Sequence, residues 1–226
     1  AIEIINLELA LSDLYQIEKR RTRLKKQIST NKEAKLEDDV LEKLSDALEN
    51  ENAVRSVLLT DEEKKLIKPL GLLTEKPIIY ATNLGEDELA KGNSFSEEVN
   101  TLATKEGSEC VNISAQVEAE LIELGEEERD DYLNGLGVEE GGLISLIKAT
   151  YRLLGLSTYF TTGEKETKAW TISDGMTAPQ AAGVIHTDFE KGFIRAQTIS
   201  CKKLLEAGSL VEARNKGWLR SEGKEY

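Results

Sequence analysis

The sequence predicts a multidomain α+β protein in which a helical hairpin, an α/β unit and a β-grasp (ubiquitin-like) domain follow one another. Three observations lead to this fold class. Apolar residues recur at helical spacing through the first part of the chain, a strand–helix–strand pattern follows, and a strand hairpin, a helix and a further strand come last. The predicted domains cover residues 1–74, 75–156 and 157–226.

The first domain is predicted to be an antiparallel α-helical coiled coil that projects from a body. Its two arms carry narrow apolar stripes, which consist of Leu7, Leu11, Leu14, Ile17, Leu24 and Ile28 on the first arm and Leu36, Val40, Leu44 and Leu48 on the second. The polar segment 29–31 is the predicted connection. A capping box of Thr60 and Glu63 predicts the start of a short helix after the hairpin.

The middle domain is predicted to contain a βαβ unit. The apolar run 76–83 predicts a buried strand, 95–106 a helix, and 109–113 a second strand. Ligands of such sheets bind at the carboxyl ends of the strands, which here are residues 83–86 and 114–116. The following stretch, 118–140, has ten acidic side chains and one basic side chain, which indicates a solvated helix or loop.

The last domain has the element order of a β-grasp fold. Residues 158–161 and 168–172 predict a strand hairpin, Thr177 the start of a helix with a proline in its first turn, and 193–199 a half-buried strand. An amphipathic helix at 141–154 precedes this domain. The printed sequence stops at Tyr226, before the last strand that we expect of such a fold.

Composition excludes several classes of protein. There are 29 basic and 42 acidic side chains, with 19 and 33 of them before residue 157 and 10 and 9 after it. The net charge of −13 argues against general nucleic-acid binding, although a local basic patch can still bind phosphates.

No apolar run reaches the roughly 20 residues of a membrane-spanning helix. Two distant cysteines and one histidine argue against a zinc site. Because the chain starts at Ala1, we expect it to be processed or a piece of a longer one.

A basic cluster on the first helical arm has two interpretations. Either its side chains form ion pairs with the acidic second arm, or they contact the phosphate backbone of an RNA such as ribosomal RNA. The candidate RNA-contacting residues are Lys19, Arg20, Arg21, Arg23 and Lys26.

Several segments resemble the Obg-like ATPases, the YchF family of P-loop GTPase-class proteins. Residues 170–172, 177–190 and 192–196 resemble the family's C-terminal TGS domain, a β-grasp module. Residues 6–14 resemble the entry into the coiled-coil insert of its nucleotide-binding domain, and 76–80 resemble the return from it. The resemblance implies a coiled-coil insert, the C-terminal part of a P-loop NTPase domain and a TGS domain.

The same resemblance implies where a nucleotide base would bind. The segment from Asn83 to Glu86 stands where related GTPases have Asn-Lys-x-Asp, whose Asp reads guanine, and the departure implies a preference for ATP. Asn83 would shape the pocket, Leu84 would pack against adenine, and Glu86 would accept from the adenine amine or organise the loop. Ser114 and Ala115 would belong to the second base-contacting loop, with a backbone N–H near Ala115 directed at the purine.

The phosphate-binding pattern Gly-x-x-x-x-Gly-Lys-[Ser/Thr] does not occur in the 226 residues. The resemblance implies ATP and Mg²⁺ as cofactors of the intact protein and association with the ribosome. We expect a cytoplasmic location, with an organelle stroma as the alternative, and no membrane or DNA partner. We expect the chain alone to be inactive, with no catalytic residue and no metal ligand of its own. Two alternatives stay open: a non-catalytic adaptor that binds RNA, the ribosome or a protein, and a relative that prefers GTP.

Overall fold

The structure is a computed structural model that describes residues 1–163 and 165–226. It divides the chain into two compact units, Ala1–Tyr80 with Ser94–Cys110 and Ala81–Asn93 with Val111–Tyr226. The division into three domains at residues 74 and 156 stays a prediction. Among the described residues, none of the helices combines the length and apolar character needed to cross a bilayer.

A helical hairpin forms most of the first unit. Helix α1 (Ile2–Leu24) and helix α2 (Lys32–Glu49) pack together, and α3 (Asp61–Ile67) follows. Their side chains share one core with the segment after α3. Its buried members include Ile17, Leu24, Val40, Leu41, Leu44, Leu48, Ile67 and Leu72. The predicted hairpin is therefore present, while its classification as a coiled-coil insert stays a prediction.

The predicted apolar stripes are buried only in part. Leu7 and Leu11 of α1 are 52% and 51% exposed, and Leu36 of α2 is 42% exposed. Helix α1 has 23 residues and α2 has 18, so the first residues of α1 extend past the end of their partner. Helical spacing predicts which face of a helix is apolar, but the neighbouring segments that pack on that face decide how much of it is covered.

Side chains just before the first helical residue cap α2 and α3, and the cap of α3 was predicted. Helix α2 begins after Asn31, whose side-chain oxygen accepts hydrogen bonds from the backbone N–H groups of Glu33 and Ala34. Helix α3 begins with the predicted capping box. The Thr60 N–H donates to Glu63 Oε2 at 2.6 Å, and the Glu63 N–H donates to Thr60 Oγ1 at 3.3 Å.

A buried carboxylate ties α1 to the segment after α3. Asp13 is fully buried and accepts three hydrogen bonds, from the N–H of Leu73 at 2.8 Å and from the N–H and the hydroxyl of Thr74, each at 2.7 Å. The Thr74 hydroxyl oxygen also accepts from the Val54 N–H at 3.2 Å. These bonds supply partners for buried backbone donors that have none within a helix or sheet.

The predicted βαβ unit is present. Strand β1 (Ile79–Asn83) and strand β2 (Glu109–Ile113) are neighbours in a sheet, and α4 (Ser94–Glu106) connects them. The Thr82 hydroxyl lies 3.4 Å from the Val111 carbonyl oxygen, and the Leu84 N–H donates to the Ile113 carbonyl oxygen at 2.8 Å. Residue numbers therefore increase in the same direction along both strands, so β1 and β2 are parallel.

Three helices follow β2, namely α5 (Ala115–Glu123), α6 (Glu126–Leu136) and α7 (Gly142–Leu153). The acidic stretch 118–140 is largely helical, and its apolar side chains build a small core. The buried members of that core are Leu89, Val117, Leu121 and Leu133. Helix α7 starts one residue after its predicted start. A Cβ on Gly142 would lie 2.8 Å from the Ile113 Cα, so only glycine fits there.

The C-terminal part contains two strand pairs. Strand β3 (Leu156–Thr162) pairs antiparallel with β4 (Thr167–Ser173), as the sequence predicts. Helices α8 (Ala178–Ile185) and α9 (Thr187–Lys191) precede β5 (Ala196–Thr198), and α10 (Cys201–Ala207) and α11 (Leu210–Asn215) precede β6 (Arg220–Glu222). Strand β5 pairs antiparallel with β6.

Two details of this part differ from the prediction. The strand predicted from Phe193 begins only at Ala196, and β6 was not predicted at all. In the described residues the two strand pairs are separate sheets, so the single sheet of a β-grasp domain is not assembled there. Strand β6 could not be predicted from the sequence, because its three residues, Arg-Ser-Glu, are too few and too polar to show an alternation of apolar and polar side chains.

Candidate nucleotide-base site

Two loops meet at the carboxyl ends of β1 and β2. Asn83, the last residue of β1, accepts a hydrogen bond through Oδ1 from the N–H of Ala115, the first residue of α5, at 2.9 Å. The Leu84 N–H donates a hydrogen bond to the Ile113 carbonyl oxygen. The predicted base-binding segments are therefore held against each other by a side chain and by the main chain.

Each predicted site residue in these loops has a definite place. Leu84 is 7% exposed and Ser114 is 1% exposed, whereas the side chain of Asn83 lies at the surface. Ser114 caps α5, with its hydroxyl oxygen 3.5 Å from the Val117 N–H. The Ala115 N–H, which we expected to be directed at the purine, donates to Asn83. Base contacts by these residues stay predictions, and the observed bonds fix the shape of the loops.

Glu86 lies beside a tyrosine that sequence reasoning missed. The Tyr132 hydroxyl on α6 is 3.4 Å from Glu86 Oε1 and 2.5 Å from Oε2 of Glu120 on α5. Glu120 in turn accepts from the Gln116 side chain at 3.1 Å. No local pattern identifies this cluster, because Tyr132 is 46 residues from Glu86.

The charges around the loops suit a neutral base better than a phosphate. Segments 83–93 and 114–120 together have five acidic side chains and one basic side chain, Lys91. Phosphate groups are bound by cations and by backbone N–H groups at glycine-rich turns. Acceptor oxygens such as those of Glu86 instead bind amino groups. The charges therefore favour a group that presents hydrogen-bond donors over a phosphate, and recognition of a purine base by these loops stays a prediction.

Comparisons with known proteins identify the family of the chain. The family model YchF-GTPase_C, described as a protein of unknown function (DUF933), matches residues 156–226. The chain is 48% identical over 228 residues to the ribosome-binding ATPase YchF of Bacillus subtilis and 49% identical over 226 residues to that of Escherichia coli O157:H7. Each alignment covers 100% of this chain and 62% of the relative. The chain belongs to the YchF family.

A solved structure supports the same family assignment. The YchF GTPase of Schizosaccharomyces pombe matches with a TM-score of 0.85 and 33% identity, over 100% of this chain and 62% of that one. This YchF chain thus spans 62% of the length of these relatives. The bacterial relatives are named ATPases and the yeast structure is titled a GTPase, so the names agree on nucleotide hydrolysis and differ on the base.

The basic cluster of this YchF chain separates into two groups. Arg20 donates two hydrogen bonds to Glu37, at 2.6 and 2.7 Å, and Arg21 donates to Asp38 at 2.9 Å and to Glu42 at 3.1 Å. These hydrogen bonds raise the pKa of both arginines. For Arg20 and Arg21 the structure favours ion pairing with the second arm. Lys19, Arg23 and Lys26 are exposed and form no ion pair with the described residues.

The single histidine has a structural role. His186 lies between α8 and α9, and its Nδ1 accepts from the Asp188 N–H at 3.2 Å, which caps α9. Its side chain is 63% exposed. The ring nitrogen of His186 therefore serves the start of α9 in this YchF chain.

Proposed function

We propose that the protein carrying this chain is a magnesium-dependent nucleoside triphosphatase that prefers ATP, and that this chain supplies its base-recognition loops. The observation that supports this most is the hydrogen bond from the Ala115 N–H to Asn83 Oδ1, which joins two loops at the carboxyl ends of neighbouring parallel strands. The names of relatives that are 48% and 49% identical over the whole chain point to the same activity.

The preference for adenine has a chemical basis in the first loop. Guanine presents a ring N–H and an amine that an aspartate at the end of an Asn-Lys-x-Asp motif accepts. Adenine has no ring N–H at that edge and presents a 6-amino group. The loop of this chain ends in Glu86, a longer carboxylate whose oxygens accept from an amine.

Phosphate chemistry is not the role we propose for this chain. Bound Mg²⁺ neutralises charge on the phosphates while water attacks the γ-phosphate. The sequence lacks the phosphate-loop spacing, and the described residues contain no group of three His, Cys, Asp or Glu side chains that could hold a metal ion. We therefore assign to Asn83, Leu84 and Glu86 the binding and orientation of the base.

Replacing Asn83 with alanine tests this assignment in the natural protein that carries the chain. Loss of the Asn83 side chain removes the bond to Ala115, so affinity for ATP should fall about three- to tenfold, the usual net contribution of one hydrogen bond. Binding of a fluorescent ATP analogue measures it. Asn134→Ala, at an exposed position on α6, is the control. Equal affinities of the two variants would contradict the role of Asn83.

The 226-residue chain by itself should not hydrolyse ATP above the uncatalysed background. The physical reason is that positioning and charge neutralisation at the phosphates supply the catalysis, and the sequence lacks the phosphate-binding pattern. Phosphate release by the purified chain with Mg²⁺ and either ATP or GTP measures this. Turnover that co-purifies with the chain and disappears in Asn83→Ala would refute the expectation.

We also propose that the helical hairpin contacts ribosomal RNA through Lys19, Arg23 and Lys26. Two bacterial relatives are named as ribosome-binding, and these three cations are exposed and without an ion-pair partner among the described residues. Arg20 and Arg21 already bind carboxylates of α2. A ribosomal partner places the protein in the cytoplasm or in an organelle that contains ribosomes.

Alanine at Lys19, Arg23 and Lys26 together should weaken ribosome co-sedimentation and reduce its salt dependence. Three lost phosphate contacts lower the slope of log affinity against log salt by roughly 2 to 3. Alanine at Lys64, Lys65 and Lys68, which are exposed in and after α3, removes the same charge elsewhere. If both triple variants change the slope equally, the effect is one of net charge and the hairpin contact is wrong.

A further inference from the structure

Tyr132 stands between two carboxylates that belong to different elements. Its hydroxyl oxygen is 2.5 Å from Glu120 Oε2 and 3.4 Å from Glu86 Oε1. A phenol has one proton to donate, and O–H···O hydrogen bonds have donor–acceptor distances of about 2.5 to 3.0 Å. The two distances therefore assign the proton to Glu120. The oxygens of Glu86 remain able to accept from another donor.

Packing of the tyrosine ring fixes the position of this hydroxyl. The Tyr132 ring packs against the small core of Leu89, Val117, Leu121 and Leu133. Leu89 lies three residues after Glu86, so the same core anchors the loop that carries Glu86. The proton is also firmly held, because the hydrogen bond to Glu120 raises the pKa of Tyr132 to about 12 and lowers that of Glu120. At neutral pH the hydroxyl is thus a fixed donor.

We propose that Tyr132 and Glu120 are positioning residues that set the selectivity of the site for purines with a 6-amino group. The Tyr132 hydroxyl lies between the two carboxylates, and Glu120 takes its proton, so that the Glu86 carboxylate keeps its acceptor oxygens for the amine. This inference rests on the proposed function, in which Glu86 reads the base.

Loss of the Tyr132 hydroxyl and loss of the Glu120 carboxylate should affect Glu86 in different ways. Without the Tyr132 hydroxyl, Glu86 and Glu120 face each other with no donor between them, and like charges at short distance repel. Glu86 should then leave its place. Without the Glu120 carboxylate, the Tyr132 hydroxyl should donate to Glu86 instead and compete with the amine for the same carboxylate oxygen. Both changes should reduce selectivity for the amine and leave the rest of the base contacts in place.

The test uses the natural protein that carries this chain and two nucleotides that differ in one group. Purine riboside triphosphate is ATP without the 6-amino group. The ratio of its Kd to that of ATP measures how well the site reads the amine. Tyr132→Phe and Glu120→Ala should each lower this ratio about tenfold, the effect of one hydrogen bond to a charged group, with Kd for purine riboside triphosphate changed less than about twofold.

Tyr159→Phe is the matched control, because the Tyr159 hydroxyl donates to the Ala181 carbonyl oxygen at 3.0 Å, far along the chain from the base loops. It should leave the ratio unchanged. If Tyr132→Phe and Glu120→Ala weaken both nucleotides equally, their role is merely structural and the inference is overturned. An unchanged ratio in both variants overturns it as well.

The wild-type ratio separates this inference from the function on which it rests. A ratio near one in the wild type means that the site does not read the amine, and the proposed adenine recognition fails with everything built on it. A wild-type ratio well above one that Tyr132→Phe and Glu120→Ala leave intact supports adenine recognition and overturns only the role of Tyr132 and Glu120.

Discussion

Replacing Asp13 with alanine should lower the free energy of unfolding by about 3 to 5 kcal/mol, because it leaves the buried N–H of Thr74 and the partly buried N–H of Leu73 without an acceptor. The Thr74 hydroxyl also loses its acceptor. Such a loss is near the upper end for a single substitution. Urea unfolding followed by far-ultraviolet circular dichroism measures it.

Two further variants show whether the effect comes from the hydrogen bonds. Asp13→Asn keeps one oxygen and places an amide donor among donors, so its loss should be smaller than that of Asp13→Ala but still more than about 1 kcal/mol. Asp39→Ala removes an exposed aspartate from α2 and should stay within about 0.5 kcal/mol of the wild type. If Asp13→Ala unfolds at the same urea concentration as Asp39→Ala, the buried carboxylate contributes nothing to stability.

The contrast between Asp13 and the helix caps shows what sequence reasoning can predict in this fold. Asn31 and Thr60 act on backbone groups two or three residues away, so a short window of sequence contains both partners. Asp13 acts on residues 60 and 61 positions further along the chain. Nothing in the sequence around Asp13 distinguishes it from a solvated aspartate on a helix.

The same distinction applies to the candidate site. The two strands predict that Asn83 and Ala115 lie at one sheet edge, because the topology of a βαβ unit places carboxyl ends together. The hydrogen bond between Asn83 and Ala115 depends on side-chain positions, and so does the cluster around Tyr132. The spacing of apolar residues along the sequence does not determine those positions. Pattern and resemblance therefore predict where the candidate site lies, and the contacts within it require the structure.

Replacing Gly142 with alanine should also be strongly destabilising, by about 2 to 3 kcal/mol, because the new Cβ would overlap packed main chain. It would lie 2.8 Å from the Cα and 2.9 Å from Cγ2 of Ile113. Ile113 has little freedom to move, since its carbonyl accepts from the Leu84 N–H at the end of the sheet. The substitution should therefore also disturb the base loops. Urea unfolding measures the first effect and ATP affinity of the natural protein the second.

Gly135→Ala is a matched control with the opposite expected sign. Gly135 lies inside α6, has no positive φ, and a Cβ there would meet no heavy atom within 4 Å. Alanine loses less backbone entropy than glycine on folding, so this variant should be more stable than the wild type by about 0.5 to 1 kcal/mol. The same chemical change should thus lower stability at one helical glycine and raise it at the other. A gain in stability at both positions would show that α7 does not pack against the end of β2 as closely as the 2.8 Å separation requires.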